Sequence, residues 1–452
     1  MINVLEAIVD YKRQVIANTA DVFELSASER NFKAALEKKH FGFIMECKKA
    51  SPSKGLIKPD FDLNHIVGVY NKYADAISVL TEDKYFQGSF NNLQKVSQLT
   101  DKPVLCKDFI LEPKQVRLAR YYGADAVLLM LSVLDDEQYI KCQEQAKALN
   151  MDVLTEVHDR SELDRAILLG SDIIGINNRN LKNLNTSLDT TKQLADLIPS
   201  DRLVITESGI SEHSDVIELA PYADACLVGS SLMASDDLLQ AAQQLVYGDI
   251  KICGVTNQQD SNYLEQEPTS CLGVIFAENS KRKVSEVFST IEKPLVGVFQ
   301  NQNVDFIISK VKQYRLKAVQ LHGDESQDFI NCVRAAIEPD VKLMKVVHIN
   351  GNPVQMEFEN VDEILLDSQI GHQQGGTGSP FDWDFLSHSS VQSNKEKVRI
   401  AGGIDSDNIQ RLKQLGFSKI DICSGSEETY GSKCRQKVTA VFNNAKLVAR
   451  YK

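Results

Sequence analysis

Glu46, Lys48, Lys107, Glu156, Asn177 and Glu207 with Ser208 stand at or just past the ends of short apolar runs in the first half of the chain. Polar side chains are costly to bury, so their recurrence at strand ends places them around one solvent-facing mouth. Two lysines and three glutamates sharing such a mouth can do acid–base work, because burial and mutual fields move their pKa values toward neutrality. Any one of them alone reads equally well as half of a structural ion pair; the ring does not read as a solvated face. In the second half, Cys253 lies in IKICGV and Asp367 in EILLDS, again at the ends of apolar runs. A thiolate facing a carboxylic acid can shuttle a proton when their surroundings separate their pKa values. The plain alternatives are an inert buried thiol and a helix N-cap.

Two glycine-containing pairs recur in the same order. ESGI (207–210) precedes VGSS (228–231), and AGGI (401–404) precedes CSGS (423–426). Each pair follows what would be a seventh and an eighth strand, where loop amides and a short helix N-terminus often hold phosphate. Simple turn glycines are the alternative, but the shared position in both halves points to two phosphorylated ligands.

These residues need a scaffold that presents many strand ends on one side. Strands are expected at 41–46, 76–81, 103–108, 126–131, 152–157, 172–177, 203–208 and 225–230, then at 250–255, 271–276, 295–300, 318–323, 342–349, 363–368, 398–403 and 419–424. Most are continuously apolar, as parallel strands buried on both faces are. Helical patterns such as 112–123 and 161–170 lie between them, several ending at Gly. Eight strand–helix units in each half, in alternation, predict an α/β chain of two fused (β/α)₈ TIM barrels. A doubly wound sheet is the competing architecture, but no GxGxxG follows a first strand. The halves meet near Tyr247-Gly248-Asp249, giving domains at 1–248 and 249–452.

The length of 452 residues suits two domains, since a single core seldom grows past roughly 250–300. A hydrophobic content of 43% with 25% charged residues is ordinary for a globular chain. The net charge of −12 argues against a nucleic-acid partner. The N-terminal segment carries charges among helically spaced apolar residues, unlike a signal peptide, and no apolar run is long enough for a bilayer. Nine scattered Cys form no CxxC pair and suggest neither a disulfide framework nor a zinc site. The expectation is a cytoplasmic monomer acting on small molecules, with no membrane partner.

FIMECKKASPSKG (43–55), VLCKDF (104–109), LTEVH (154–158), GINNRNL (175–181), ITESGI (205–210) and LVGSSLM (227–233) resemble the motif set of indole-3-glycerol phosphate synthase across residues 1–248. That family closes an indole ring on carboxyphenylaminodeoxyribulose 5-phosphate, releasing carbon dioxide and water without metal or cofactor. The resemblance implies Lys107 as the general acid at the substrate carbonyl, with Glu156 and Lys48 in the later proton transfers. Glu46, Asn177 and Glu207 would position the substrate and tune the lysines, and Arg179 would hold a loop or the carboxylate. Ser51, Ser208, Gly209, Gly229 and Ser230 would hold the phosphate. Residues 1–40 would form a helical extension over the mouth.

KICGVTN (251–257), NSKRKVS (279–285), VGVFQN (296–301), VQLHGDE (319–325), GGTG with FDW (375–383), IAGGI (400–404) and DICSGSE (421–427) resemble phosphoribosylanthranilate isomerase across 249–452. That family converts an aminoaldose to an aminoketose by an Amadori rearrangement. The resemblance implies Cys253 as the base at C2′ and Asp367 as the acid that opens the ring. Arg282 would meet the anthranilate carboxylate and Asp421 a sugar hydroxyl. Gly376, Gly402, Gly403, Ser424 and Gly425 would bind phosphate, and no cofactor is implied. His322 fits a substrate contact or a structural role rather than the catalytic set. The chain departs from the family at Lys281, where Pro is frequent, and at Cys423, where Ser is usual; the resemblance does not place the run IGHQQ (370–374). Other phosphosugar isomerases, Schiff-base aldolases or a metabolite-binding protein could use the same scaffold. The intact Glu46, Lys48, Lys107 and Glu156, with Cys253 and Asp367, argue against a site that has lost its activity.

Overall fold

The computed structural model describes residues 4–450 apart from 181–183, 285–287, 289–290, 350–355, 371–372 and 375–379. The chain divides into two compact units, one running to Val246 and including the tail from Val448, the other Tyr247–Leu447.

The first unit is a closed barrel of eight parallel strands. They are β1 (Gly42–Cys47), β2 (Ala76–Leu80), β3 (Val104–Lys107), β4 (Ala126–Met130), β5 (Asp152–Val157), β6 (Ile173–Asn177), β7 (Leu203–Glu207) and β8 (Ala225–Val228). β1 closes the ring by pairing with both β2 and β8. Inward residues Ile44, Leu105, Leu154, Leu203 and Leu227 fill the interior, while helices cover the outside, which is why the strands read as unbroken apolar runs. Helices start where Asp62, Ser89, Asp135 and Asp159 turn a side-chain oxygen onto an exposed amide of the first turn.

A short repeat pins the floor of this barrel. The sequence Ala-Asp-Ala occurs at 74–76, 124–126 and 223–225, just as a strand begins. Asp75, Asp125 and Asp224 accept the amide protons of Phe43, Val104 and Val204 on the neighbouring strands at 3.0, 2.8 and 2.8 Å. The tail adds to this face: Val448 bridges His40, and the Arg450 Nε lies 3.2 Å from Asp224.

The N-terminal segment does two jobs rather than one. Phe32 and Leu36, in a short helix capped by Asn31, are fully buried with the barrel interior and plug its floor. Helix α1 (Val4–Ala17) instead lies at the opposite end, where Val4, Leu5 and Ile8 line the mouth cavity. Its buried Lys12 pairs with Asp108 at 2.6 Å, directly after β3.

The second unit closes in the same way with eight parallel strands. They are β9 (Asp249–Cys253), β10 (Cys271–Ile275), β11 (Leu295–Phe299), β12 (Ala318–Leu321), β13 (Lys342–Ile349), β14 (Glu363–Ile370), β15 (Val398–Ile400) and β16 (Lys419–Ile422). Val296, Ala318, Met344, Val346 and Leu365 pack inside. An ionic group sits at the floor, where Arg399 reaches Asp249 at 2.6 Å and Glu363 at 3.0 Å. The expected regular alternation weakens here. Among the described residues no helix lies between β10 and β11 or between β13 and β14. After β10 the chain doubles back along its own strand end, with the Val284 amide donating to Ile275 O at 2.9 Å, and this brings Arg282 to the mouth. No helix of the described residues is long and apolar enough to cross a membrane.

Replacing Lys12 with Ala leaves Asp108 buried without its cation, an effect of about 3 kcal/mol for a buried pair. We expect α1 to detach locally, so that protease cleavage within 18–30 accelerates by about tenfold or more while the barrel keeps its melting temperature. Equal protection in the variant would contradict this anchoring role.

Candidate active sites

In the first barrel the inward-facing positions change character along each strand. Ile44 is followed by Glu46 and then Lys48, Leu105 by Lys107, Leu154 by Glu156 and Ile205 by Glu207. Apolar side chains fill the lower layers and charged ones the top, where the barrel opens into a cavity of about 250 Å³. Two glycines make room for them. A side chain at Gly175 would strike the Glu207 carboxylate, and one at Gly229 would strike that of Glu46.

Lys107 is the hub. Its ammonium pairs with Glu207 and lies 3.9 Å from Glu156. Lys48 pairs with Glu46 at 2.5 Å, and Asn177 Nδ2 donates to Glu156 Oε1 at 3.0 Å. Burial pulls the Lys107 pKa down, but Glu207, Glu46 and Glu156 outweigh it and hold the ammonium charged well above its usual range. Burial likewise pushes Glu46 up, and Lys48 with Lys107 more than offset it, leaving that carboxyl below its ordinary value. Glu207 goes the other way: burial, with Glu156 and Glu46 adding, pushes it up to about 7 against the pull of Lys107. The mouth therefore holds a fixed cation beside a carboxyl poised near neutrality.

The remaining first-half residues line the same cavity. Arg179 donates to Ser53 Oγ at 2.8 Å, and its amide donates to Asn177 Oδ1 at 2.9 Å, so the β6 loop is tied to the β1 loop. Ser51, Ser208, Gly209, Gly229 and Ser230 collect on one side. Ser208 and Gly209 both take left-handed backbone angles, with φ of 66° and 84°, and Gly229 opens the helix Ser230–Ala234. Phe86 and Phe109 form an apolar wall with ring centroids 6.2 Å apart. The sequence assigned neither aromatic a role, although each lies in a loop that follows a strand end and Phe109 closes the VLCKDF motif.

The second mouth opens on a cavity of about 490 Å³ lined by Cys253, Asp367, Arg282, Gly402, Gly403, Asp421 and Ser424. Gly425 lies behind it, so close to the chain that an added side chain would strike Ile404 O. Gly376 and most of the 370–374 run fall outside the described residues or their side chains. Cys253 is lowered from its ordinary value to about 7. The hydrogen bond from the Cys423 thiol is the largest cause; burial opposes it, and the ammonium groups of Lys251 and Lys433 assist. Arg282 is engaged with Glu427, its Nη2 at 2.8 Å from Oε2, and stacks 4.7 Å from the Tyr430 ring centroid.

A hydrogen-bonded chain crosses this barrel beneath the cavity. Lys251 donates to Asp421 at 2.8 Å and to Gln320 Oε1 at 2.6 Å. An ammonium only donates, so it fixes the orientation of the Gln320 amide, whose Nε2 faces His322 Nδ1 at 3.1 Å. His322 Nδ1 must then accept, which leaves Nε2–H directed at Asp367 Oδ2, 3.4 Å away. His322 thus touches the expected acid. QLHGD offered the same signal as the other strand ends, a polar residue just past an apolar run.

Every described residue lining the first cavity precedes residue 232, and every one lining the second follows 252. The family model for indole-3-glycerol phosphate synthase matches residues 3–245, and that for N-(5′-phosphoribosyl)anthranilate isomerase matches 250–444. The tryptophan biosynthesis protein TrpCF of Vibrio parahaemolyticus is 47% identical, covering 93% of this chain and 88% of its own. Its counterpart in Haemophilus influenzae is 42% identical, covering 98% and 96%, and that in Vibrio cholerae 44%, covering 92% and 89%. The chain belongs to the family of bifunctional tryptophan-biosynthesis enzymes that join an indole-3-glycerol phosphate synthase barrel to a phosphoribosylanthranilate isomerase barrel.

Proposed function

We propose that the two mouths carry consecutive reactions, with the division of labour at residues 248 and 249, and that the residues named above perform them. In the second half, Asp367 protonates the ring oxygen of N-(5-phosphoribosyl)anthranilate, and the bond from C1′ to that oxygen breaks to give an imine. The Cys253 thiolate then takes the C2′ proton, and the electrons move toward nitrogen to give an enolamine, which gains a proton at C1′ as its C2′ hydroxyl gives one up and so becomes the aminoketose 5-phosphate. Its thiol, brought to about 7, is matched to this step at neutral pH. His322, its Nε2 3.4 Å from Asp367 Oδ2, steadies the carboxylate left after the acid gives up its proton. Asp421 meets a sugar hydroxyl, Arg282 the anthranilate carboxylate, and Gly402, Gly403, Ser424 with Gly376 and Gly425 the phosphate.

In the first half, Lys107 donates to the C2′ carbonyl as the ring carbon bearing the carboxylate attacks it. Carbon dioxide leaves, and Glu156 with Lys48 moves the protons that complete loss of water to indole-3-glycerol phosphate. Glu46, Asn177 and Glu207 position the substrate and hold the two lysines in place. Ser51, Ser208, Gly209, Gly229 and Ser230 hold the phosphate, Arg179 secures the loop, and α1 covers the mouth. The observation that carries this reading is the gathering of each proton-transfer set inside one unit: Lys107 among three carboxylates, and Cys253 opposite the Asp367–His322 pair. In the same reading the enzyme is a cytoplasmic monomer.

Steady-state assay of each half-reaction tests the assignment. Lys107→Ala is expected to lower indole-ring closure by about 10²–10⁴-fold and spare the isomerase, and Cys253→Ala to do the reverse. Parallel loss of both activities in either variant would refute two separate sites. The isomerase kcat/KM should rise with pH through about 7, because the base acts only once its thiol is ionised. Lys251→Met removes a cation that favours the thiolate, and should move that limb up by about one pH unit. An unmoved limb would remove the Cys253 thiolate as the titrating base.

A further inference from the structure

The second mouth places a second cysteine, Cys423, beside Cys253. β9 and β16 run parallel as neighbours, with Lys251 opposite Asp421 and Ile252 opposite Ile422. The next matched position places Cys253 beside Cys423. Neighbouring strands lie about 4.8 Å apart, within the Cα span of roughly 4.4–6.8 Å that a disulfide bridges. Both residues line the cavity of about 490 Å³, Cys253 largely buried and Cys423 half-buried. The Cys423 sulfur lies against the chain just past Cys253, since a side chain built at Gly254 would come within 3.0 Å of it.

We propose that Cys253 and Cys423 form an oxidisable dithiol, a covalent-modification site that a small hydroperoxide converts to an intramolecular disulfide. Redox-responsive cysteines combine an accessible thiolate with a nearby resolving thiol, and both halves of that description are met here. The Cys253 thiolate attacks one oxygen of hydrogen peroxide, the O–O bond breaks, and Cys253 becomes a sulfenic acid. The hydroxide released takes up the proton lost when the thiol ionised, giving water. The Cys423 thiol, whose sulfur lies 3.9 Å from Glu427 Oε1, passes its proton to that carboxylate and attacks the Cys253 sulfur. The S–O bond breaks, the S–S bond forms, and the departing hydroxide recovers the proton as a second water. Two thiols are oxidised and one peroxide reduced. Cys47, Cys106 and Cys226 do not compete, because they are buried in the first barrel and burial pushes their thiols up. No described cysteine lines the first cavity, so ring closure continues while isomerisation stops.

The disulfide stands on strand register, the shared cavity and the approach of the Cys423 sulfur to Gly254; the loss of isomerase activity rests in addition on Cys253 being the base. Treating the full-length protein with hydrogen peroxide and assaying both half-reactions separates the two. The expected outcome is a fall of about tenfold or more in isomerase rate, restored by dithiothreitol, with an unchanged synthase rate. Peptide mass mapping should find a Cys253–Cys423 linked pair. In Cys423→Ser, each preparation compared with its own untreated rate, peroxide should drive Cys253 to sulfinic acid and the loss should resist dithiothreitol. Absence of the linked pair, or full recovery in Cys423→Ser, would overturn the dithiol. A linked pair with undiminished isomerase would leave the disulfide standing and overturn Cys253 as the base.

Discussion

Lys107 carries its charge inside a wall of apolar side chains, and the first site depends on how that charge is balanced. An unpaired buried ammonium would lose its proton or pull in water. Glu207, Glu46 and Glu156 prevent this from three different strands, each from the inward-facing position one layer above the core. The same arrangement leaves Glu207 near neutrality, because one lysine cannot hold several buried carboxyls ionised equally. Charge balance, packing and reactivity are one problem here, solved by which residue occupies the last inward position of each strand.

The second barrel solves a related problem with a different set. Lys251 sits fully buried beneath the cavity, where its field favours the thiolate of Cys253 on its own strand. Through Gln320 it also fixes the tautomer that His322 presents to Asp367. A single ammonium thereby conditions both the Cys253 thiol and the histidine that faces Asp367. The floors differ as well: Phe32 and Leu36 plug the first, while Arg399, Asp249 and Glu363 close the second with charge.

The sequence made the strands legible because parallel strands covered on both faces must be apolar throughout, and Ile44, Leu105 and Leu154 announce both the strand and the polar residue that follows. The first mouth was legible for the same reason. Other features depend on partners far away in the chain. Phe32 and Leu36 read as part of a covering extension, yet they pack beneath the barrel. Cys423 read as a departure from the family pattern, and only the pairing of β9 with β16 gives it Cys253 as a neighbour. The strand–helix alternation expected throughout the second half gives way after β10 to a loop whose Arg282 is held by Glu427, which lies beyond β16. The three Ala-Asp-Ala segments share a sequence, but their function, binding the amide of the preceding strand, exists only in the closed barrel.

The central claim is that each site is complete within its own unit. Mixing two singly disabled proteins, Lys107→Ala and Cys253→Ala, and following conversion of N-(5-phosphoribosyl)anthranilate to indole-3-glycerol phosphate tests it most directly. Neither protein alone should form the final product, and the mixture should form it, as the aminoketose released by one is taken up by the other. A mixture as inactive as its components, with the aminoketose absent from solution, would contradict the account.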